Sequence, residues 1–339
     1  MSVVFESTKS VSHYLDPRRE FAPAEKPIDI RVHPLTGHTT RVAHFGIPPR
    51  QEYVLSDEIK AAELPIFAPP LVTQVTPKFT DEGLQERYTR GRCVLFPNLS
   101  PYEELSPVAT IGDRPLVEPN DLDPEDVSDA LALMREFFRD VRSPRDRGVL
   151  GWNFWPASGS SIPHPHIQAV AAGRLPDRQR AEQIGEERHR VEHDSDFWDD
   201  FLAAERDGSR WLGEMGGFAA VVDFAPMSLV PETIVVPVGG DPWHLQEATD
   251  AQMFGMAAWM CRLAAAHTAL GVSSFNGLLH PTAPGDGKPS RFRARFIPRV
   301  YVVEPHHSSD WTWIQMGTNE GLTSIVPEEW AESLRNVLT

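Results

Sequence analysis

A pattern that occurs twice constrains the fold of this 339-residue chain more than any other feature. The segment FPNLSPYEELSPVATIG at 96–112 resembles FAPMSLVPETIVVPVGG at 224–240, because each has a strand end, a proline, a loop with another proline, a glutamate and then an apolar strand. Each copy is followed by an amphipathic helix, an asparagine-bearing strand and a strand rich in basic or histidine side chains, over intervals of equal length. This internal repeat predicts a duplicated strand-helix-strand-strand unit.

Apolar residues spaced three and four apart predict three helices. The first follows Asp123, whose side chain is placed to cap free backbone amides, with Pro124 at the first helical position. The third ends at Gly271, a typical C-terminal cap. The second and third helices are predicted at about 177–205, with an interruption near 193–196, and at about 250–270.

These elements predict an α+β fold in which antiparallel sheets pack against helices and a pseudo-twofold axis relates the two copies. We assign the first half to residues 31–210 and the second half to residues 211–339. Residues 1–30 contain Asp16-Pro17 and Ala22-Pro23 and lack apolar periodicity, so we expect a loosely structured N-terminal arm.

The charge of the chain excludes some classes of partner. With 48 acidic and 32 basic residues its formal net charge is −16, which argues against binding nucleic acid or an anionic membrane through the overall field. No apolar stretch reaches the roughly 18 residues of a membrane span, and the N-terminus lacks a signal-peptide core. Cys93 and Cys261 are too far apart in sequence for a Cys-x-x-Cys pair, and two cysteines make no disulfide framework. We therefore expect a cytoplasmic protein without nucleic-acid or membrane partners.

The segment SSIPHPHIQ at 160–168 carries the most chemical information. Side chains alternate between the two faces of an extended strand, so His164, His166 and Gln168 are expected to share one face. An imidazole with one nitrogen held as a donor is a competent nucleophile at neutral pH. A carboxamide can bind a phosphoryl oxygen without neutralising the electrophile. Three small residues just before the motif offer close backbone approach and hydroxyl donors: Gly159, Ser160 and Ser161.

Two histidines on a strand also have a simpler interpretation. An isolated His-x-His pair is often satisfied by hydrogen bonds in a protein core, or binds metal adventitiously. The pair alone therefore leaves a structural role open.

The whole string GSSIPHPHIQ resembles the active-site segment of the galactose-1-phosphate uridylyltransferase-like family of the histidine-triad superfamily. The signature of that family is His-Pro-His-x-Gln preceded by Gly-x-Ser. Further resembling segments occur in the family's order between about 29 and 337: RVHPLTGHTTRV, FPNLSPY, GWNFW, FAPMSLVPETIVVP, FNGLLHPTAP and VPEEWAESLR. The resemblance implies that the duplicated unit is histidine-triad-like, and that the protein is a homodimer.

The resemblance also implies covalent nucleotidyl transfer. By position, His166 would attack the α-phosphorus of a nucleotide or nucleotide-sugar donor, and a small phosphorylated acceptor would then take the nucleotidyl group. Gln168 and Ser161 would hold the transferring phosphoryl oxygens, while His164 would orient His166 or the phosphate loop. The residues matched to nucleotide-contacting positions are Arg31, Asn98 and Asn153.

The chain departs from the family at its metal site. Many members hold zinc with a Cys-x-x-Cys pair and two histidines, one of them the first histidine of the motif. Leu64 and Phe67 stand where the cysteines would fall. Because structural zinc sites seldom form from scattered histidines alone, we predict no metal and no other cofactor.

The second half departs as well, because an arginine-rich strand replaces the His-x-His strand of the family. Alternation places Arg291, Arg293 and Arg295 on one face. Two interpretations stay open: ion pairs with surface carboxylates, or a phosphate clamp that His280 and Lys288 would extend.

The leading hypothesis is a metal-independent nucleotidyltransferase whose base and sugar are not fixed by the sequence. The nearest alternative is a nucleotide-sugar or dinucleoside-polyphosphate phosphorylase, in which inorganic phosphate replaces the acceptor. The third is a non-catalytic nucleotide-binding protein of the same fold, against which the intact His166 and Gln168 count, because binding alone needs no nucleophile.

Overall fold

Fourteen strands form two sheets in the computed structural model, which describes residues 2–45, 65–171, 173–240, 244–283, 290–302 and 308–338. The strands are β1 Glu6–Asp16, β2 Ala22–Val32, β3 Thr39–Val42, β4 Tyr88–Arg90, β5 Cys93–Pro97, β6 Pro107–Thr110, β7 Gly148–Phe154, β8 His166–Ala171, β9 Trp211–Met215, β10 Phe218–Val222, β11 Thr233–Pro237, β12 Ser274–His280, β13 Arg293–Arg299 and β14 Gly321–Thr323.

The predicted helices are present, with the predicted boundaries. The Asp123 carboxylate accepts a hydrogen bond from the backbone N–H of Glu125 at 3.0 Å, and Pro124 is the first helical residue. Gly271 has a φ of 87° just beyond the third predicted helix, as a C-terminal cap requires. The described helices are α1 Leu71–Val75, α2 Pro124–Asp140, α3 Asp177–His193, α4 Phe197–Glu205, α5 Asp250–Ala269, α6 Trp313–Thr318 and α7 Pro327–Val337.

The larger sheet confirms the predicted duplication. Its ten strands run in the order β4-β5-β6-β8-β7-β12-β13-β11-β10-β9, and neighbouring strands are antiparallel. Read outward from the centre, the two halves list corresponding strands in the same order, and α2 and α5 occupy equivalent places in them. At the centre Asn153 of β7 pairs with Asn276 of β12, which marks the pseudo-twofold axis. The fold is therefore α+β with an internal repeat, as expected.

One face of this sheet forms the main core and leaves the other face for chemistry. Along β7, Leu150, Trp152 and Phe154 are buried against the α2 and α5 side, together with Ile167 of β8. The alternate residues of β7 are less buried and face away from the helices. The His-x-His-x-Gln strand consequently presents its polar side chains on the face that α2 and α5 do not cover.

The prediction of a loosely structured N-terminal arm is wrong. Strands β1 and β2 pair along their whole length, from Glu6 opposite Val32 to Asp16 opposite Ala22, and β2 continues the sheet to β3. The strand β14 completes that sheet by pairing in parallel with β3. Ten of the eleven residues of β1 are exposed, so backbone hydrogen bonds rather than an apolar face define the strand. That is why apolar periodicity did not reveal it.

Candidate active site

The register of the central strands assembles a polar row around His166. Thr110 of β6 pairs with His166, and Trp152 of β7 pairs with Ile167. Continuing the second register by one residue places Asn153 opposite His166. Directly opposed residues in a sheet have Cβ atoms about 4.5–5.5 Å apart, so we expect the side chains of His166 and Asn153 to start from neighbouring positions on one face.

The surroundings of His166 select one tautomer. Its Nδ1–H donates to the backbone carbonyl oxygen of His164 at 2.8 Å, and a carbonyl can only accept. Burial lowers the pKa of His166 below its ordinary value, so the ring is neutral at pH 7. The lone pair is then on Nε2, which has no hydrogen-bond partner within the described ranges. A neutral imidazole with a free Nε2 lone pair is the form that acts as a nucleophile.

His164 supports His166 through its backbone. Its own Nε2–H donates to the carbonyl oxygen of Gly112 at 3.2 Å, and burial lowers its pKa to about 4. The Phe67 ring packs edge-on against both imidazoles, with centroid distances of 5.3 Å to His166 and 6.1 Å to His164. These contacts exclude water from one side of the His166 ring, and they contribute to the burial that lowers both pKa values.

A glycine opens the sheet surface beside the polar row around His166. Gly151 pairs with Gln168 on one side and with Leu278 of β12 on the other. A Cβ atom built on Gly151 would meet nothing within 4 Å, so the floor here is bare backbone under open space. Gln168 is partly buried, and its carboxamide makes no hydrogen bond to other described residues. An oxygen-rich ligand above Gly151 would find donors on Gln168 and Asn153.

The loop before the motif lies at the end of β7. A short 3-10 turn at Pro156–Ser158 follows Trp155, whose φ of 67° and ψ of 165° are rare for a residue with a side chain. Gly159 follows in the left-handed region with open space at its Cβ position. The Ser160 hydroxyl donates to the carbonyl oxygen of Ile162 at 2.9 Å, and Ser161 is exposed. Of the two hydroxyls, that of Ser161 is free for a ligand.

Two residues matched to nucleotide contacts by position have other partners here. Arg31 is 5% exposed and donates to Asp29, to Glu328 in a bidentate pair and to the carbonyl oxygen of Phe224. Its guanidinium therefore ties β2 to α7 and the second half. Asn98 lies just after β5, and its Oδ1 accepts the backbone N–H of Ser100 at 2.9 Å, which closes a turn.

The arginine face at the start of β13 is buried and ion-paired, and one of its partners is a surface carboxylate. Arg291, Arg293 and Arg295 are each 1% exposed. Arg295 donates to Asp223 at 2.7 Å and to Glu182 at 3.2 Å, and both carboxylates are buried. Further ion pairs of the face join Arg295 to Glu232, Arg293 to Glu182 and Glu186, and Arg291 to Asp196 and Asp199.

Helix α3 covers this arginine face because Glu182 and Glu186 lie one turn apart on it. His280 belongs to the same buried cluster, 3.3 Å from Glu182, while Lys288 lies outside the described residues. In place of the phosphate clamp, buried carboxylates neutralise Arg293 and Arg295, and Arg291 pairs with Asp196 and with the exposed Asp199.

The register also corrects the equivalence between the two halves. Asn276 pairs with Ile297, and Ser274 pairs with Arg299. If Asn153 is equivalent to Asn276, then Ile297 takes the place of His166, and Arg299 takes the place of Gln168. The sequence argument missed the roles of Gly151 and Arg299. The signal for Asn276 was present, since the repeat placed it on the strand equivalent to that of Asn153.

Across the described ranges, no group of three or more His, Cys, Asp or Glu side chains is arranged to hold a metal ion. Leu64 lies outside those ranges, and Phe67 packs on the two motif histidines. The prediction that the protein uses no metal or cofactor stays a prediction.

We expect the reaction of His166 to persist at mildly acidic pH. Because burial lowers the pKa of this imidazole, the rate of covalent adduct formation should begin to fall only below the ordinary histidine pKa of about 6.5. Replacing Phe67 by asparagine admits water and should shift the acid limb to higher pH. The check is the pH dependence of single-turnover rates for both proteins. An unchanged limb in Phe67→Asn would contradict the role given to burial.

The chain has the fold of galactose-1-phosphate uridylyltransferase-like proteins. A GalT-like protein from Arabidopsis thaliana superposes with a TM-score of 0.69 and 14% identity over 91% of this chain and 98% of that chain. An ADP-glucose phosphorylase from Arabidopsis thaliana with bound ADP-glucose gives 0.70 and 15% over 91% and 99%. A uridylyltransferase gives 0.64 and 18% over 91% and 98%. The resemblance expected from the motifs is thus confirmed for the fold.

Comparisons of sequence alone add little about activity. No protein-family model matches the chain. A protein of unassigned function from Archaeoglobus fulgidus is 25% identical over 315 residues, which cover 92% of this chain and 93% of that protein. In the part of the chain that the structure describes, no helix combines the length and apolar character needed to cross a bilayer.

Proposed function

We propose that the protein is a nucleotidyltransferase that works through a covalent nucleotidyl-histidine intermediate on His166. The observation that carries this proposal is the hydrogen bond from His166 Nδ1 to the His164 carbonyl oxygen, which leaves the Nε2 lone pair without a hydrogen-bond partner among the described residues. Gln168 and Asn153 flank the nucleophile on that face. Binding without chemistry would need none of this arrangement.

The transfer divides into two displacements. In the first, Nε2 forms a bond to the α-phosphorus of a nucleoside diphosphate compound, while the bond from that phosphorus to the bridging oxygen breaks. The other phosphorylated half leaves with the electron pair. The positive charge that develops on the ring is stabilised by the His164 carbonyl oxygen at Nδ1–H. In the second displacement a phosphate oxygen of the acceptor attacks the same phosphorus, and the P–Nε2 bond breaks.

The donor class follows from the open floor and its donors. Gly151 gives room for a phosphoryl group, and the carboxamides of Gln168 and Asn153 can donate to its oxygens. Nucleotide sugars fit this site, and the structural similarity to an ADP-glucose phosphorylase supports them. That similarity also favours the second candidate, a phosphorylase in which inorganic phosphate takes the nucleotidyl group from His166. We further propose that the protein acts as a cytoplasmic homodimer without a metal cofactor.

The test is a set of α-labelled nucleotide sugars, with adenine and uracil as bases, incubated with the protein. We expect one donor to give an acid-labile, base-stable adduct on His166. Chasing that adduct with hexose 1-phosphate or with inorganic phosphate then separates transferase from phosphorylase. Absence of an adduct with every donor would refute the covalent mechanism.

A leucine at position 151 should block the site without unfolding the protein. The Gly151 backbone is not in the left-handed region, and a Cβ atom there has open space, so the substitution costs little in stability. The side chain would fill the space above the floor, and we expect adduct formation to fall at least about 100-fold. Gly151→Ala is the matched control and should lose much less. Single-turnover rates and thermal melts of both variants check the prediction; equal rates would place the substrate elsewhere.

A further inference from the structure

A chain of hydrogen bonds runs from the second half of the protein to the Asn153 amide. Asn276 Nδ2 donates to Asn153 Oδ1 at 2.7 Å and to the carbonyl oxygen of Ser158 at 3.0 Å. Arg299 Nη1 donates to Asn276 Oδ1 at 2.7 Å. Asp310, which is 2% exposed, binds Arg299 through contacts of 2.7, 2.9 and 3.0 Å.

The chemistry of this chain fixes the orientation of both amides. A guanidinium only donates, so Asn276 must turn its Oδ1 toward Arg299. The Nδ2 of Asn276 then donates to Asn153, and the Oδ1 of Asn153 is the acceptor. The Nδ2 of Asn153 consequently remains as a donor, and it has no hydrogen-bond partner among the described residues. Without the chain the amide would be free to rotate and present its oxygen instead.

The far end of the chain is anchored as well. The Asp310 carboxylate accepts the backbone N–H of Val300 at 3.0 Å in addition to the guanidinium. The other end of the chain is Asn153, which the strand register places opposite His166. The hydrogen bonds therefore orient the Asn153 amide at the place where the phosphoryl group would lie.

We propose that Asn276 and Arg299 are positioning residues, which hold the Asn153 amide so that its N–H donates to the phosphoryl oxygens during transfer. This inference rests on the proposed function, because it names what directs one phosphate contact of that site. It also gives the second half of the duplicated fold a role in the chemistry of the first. If Asn153 presented its amide oxygen instead, that oxygen would repel the phosphoryl oxygens, and Asn153 would slow the reaction.

Asn276→Asp tests the proposal. The carboxylate still accepts from Arg299 but cannot donate to Asn153, whose amide is expected to turn its N–H toward the new acceptor. We expect the rate of adduct formation on His166 to fall at least about tenfold, with a smaller change in the donor concentration that gives half the maximal rate. In the Asn153→Ala background the same substitution should cost less than about twofold.

Two further variants separate positioning from general support of the fold. Ser274→Ala removes another buried hydrogen bond between the central strands, from Ser274 Oγ to the carbonyl oxygen of Phe154 at 2.7 Å, and should leave the rate unchanged. If Asn276→Asp does not fold, Arg299→Lys serves in its place, because an ammonium keeps the charge beside Asp310 but not the fork that also reaches Asn276. Thermal melts of every variant accompany the rates.

The outcomes distinguish this inference from the function on which it rests. If the wild-type protein forms the adduct and Asn276→Asp forms it equally fast, only the positioning role is overturned. Equal losses in the wild-type and Asn153→Ala backgrounds overturn it too. If the wild-type protein neither forms an adduct nor binds UMP or AMP in calorimetry, both the proposed function and the positioning role fall.

Discussion

Replacing His166 by alanine is expected to abolish formation of the nucleotidyl-protein adduct, with a loss of at least about 1,000-fold in single-turnover rate. The substitution removes Nε2, the unprotonated ring nitrogen of the row, which has no hydrogen-bond partner among the described residues. Gln168 and Asn153 remain, but an amide nitrogen is not a nucleophile at neutral pH. The adduct is measured as retained α-label and as a mass increase of one nucleotidyl group.

His267 provides a matched control for this prediction. It is a buried histidine whose Nδ1 also donates to a backbone carbonyl, that of Leu263, at 2.8 Å. Burial lowers its pKa to about 4, but it lies on α5, packed against Phe296 and away from the polar face. His267→Gln should therefore keep adduct formation, whatever it does to stability. Adduct on His166→Ala at the wild-type rate would mean that another residue is the nucleophile.

Replacing Glu182 by glutamine is expected to destabilise the protein by about 3–5 kcal/mol. Burial alone would raise the pKa of Glu182, but the charge of Arg293, followed by other nearby cations, outweighs burial and holds the pKa well below its ordinary range. The carboxylate contacts both Arg293 and Arg295, and all three groups are buried. A neutral amide leaves two buried guanidinium groups without enough negative charge. The shift is measured as the midpoint of denaturant unfolding.

The control for Glu182 is a carboxylate with the same kind of partner at the surface. Glu86 contacts Lys78 at 2.5 Å, with both side chains more than half exposed. Glu86→Gln should leave the unfolding midpoint unchanged, because solvent screens the pair and replaces it. A small effect at both positions would contradict the view that the arginine cluster is structural. If an added anion stabilised Glu182→Gln but not the wild-type protein, the result would indicate that the arginine cluster of the variant lacks the negative charge of Glu182.

The network around Glu182 explains why an arginine-rich strand does not indicate a phosphate site here. Alternation along the strand correctly placed Arg291, Arg293 and Arg295 on one face. What covers a face depends on how a distant helix docks, and α3 is contributed by a segment more than a hundred residues earlier in the chain. Strand periodicity contains no information about that docking.

The N-terminal hairpin illustrates the opposite failure, in which the sequence concealed a regular element. Strand β1 lies at the edge of its sheet, and its exposure removes the alternation that normally reveals a strand. The helices were predicted well because each has a buried apolar face and a local start or stop signal, such as Asp123 or Gly271.

The sequence by itself determined the duplication, the helices and the strand that carries His166 and Gln168, whereas His164 lies in the bend before it. These features depend on periodicity, capping residues and short motifs, and each of these signals lies within a short segment of the sequence. Only the tertiary structure decided which polar groups meet. Gly151 lies beside Gln168, and Asn276 reaches Asn153, because β7 pairs with β8 on one edge and with β12 on the other. Register between strands is set by packing of the whole sheet, so no local pattern specifies it.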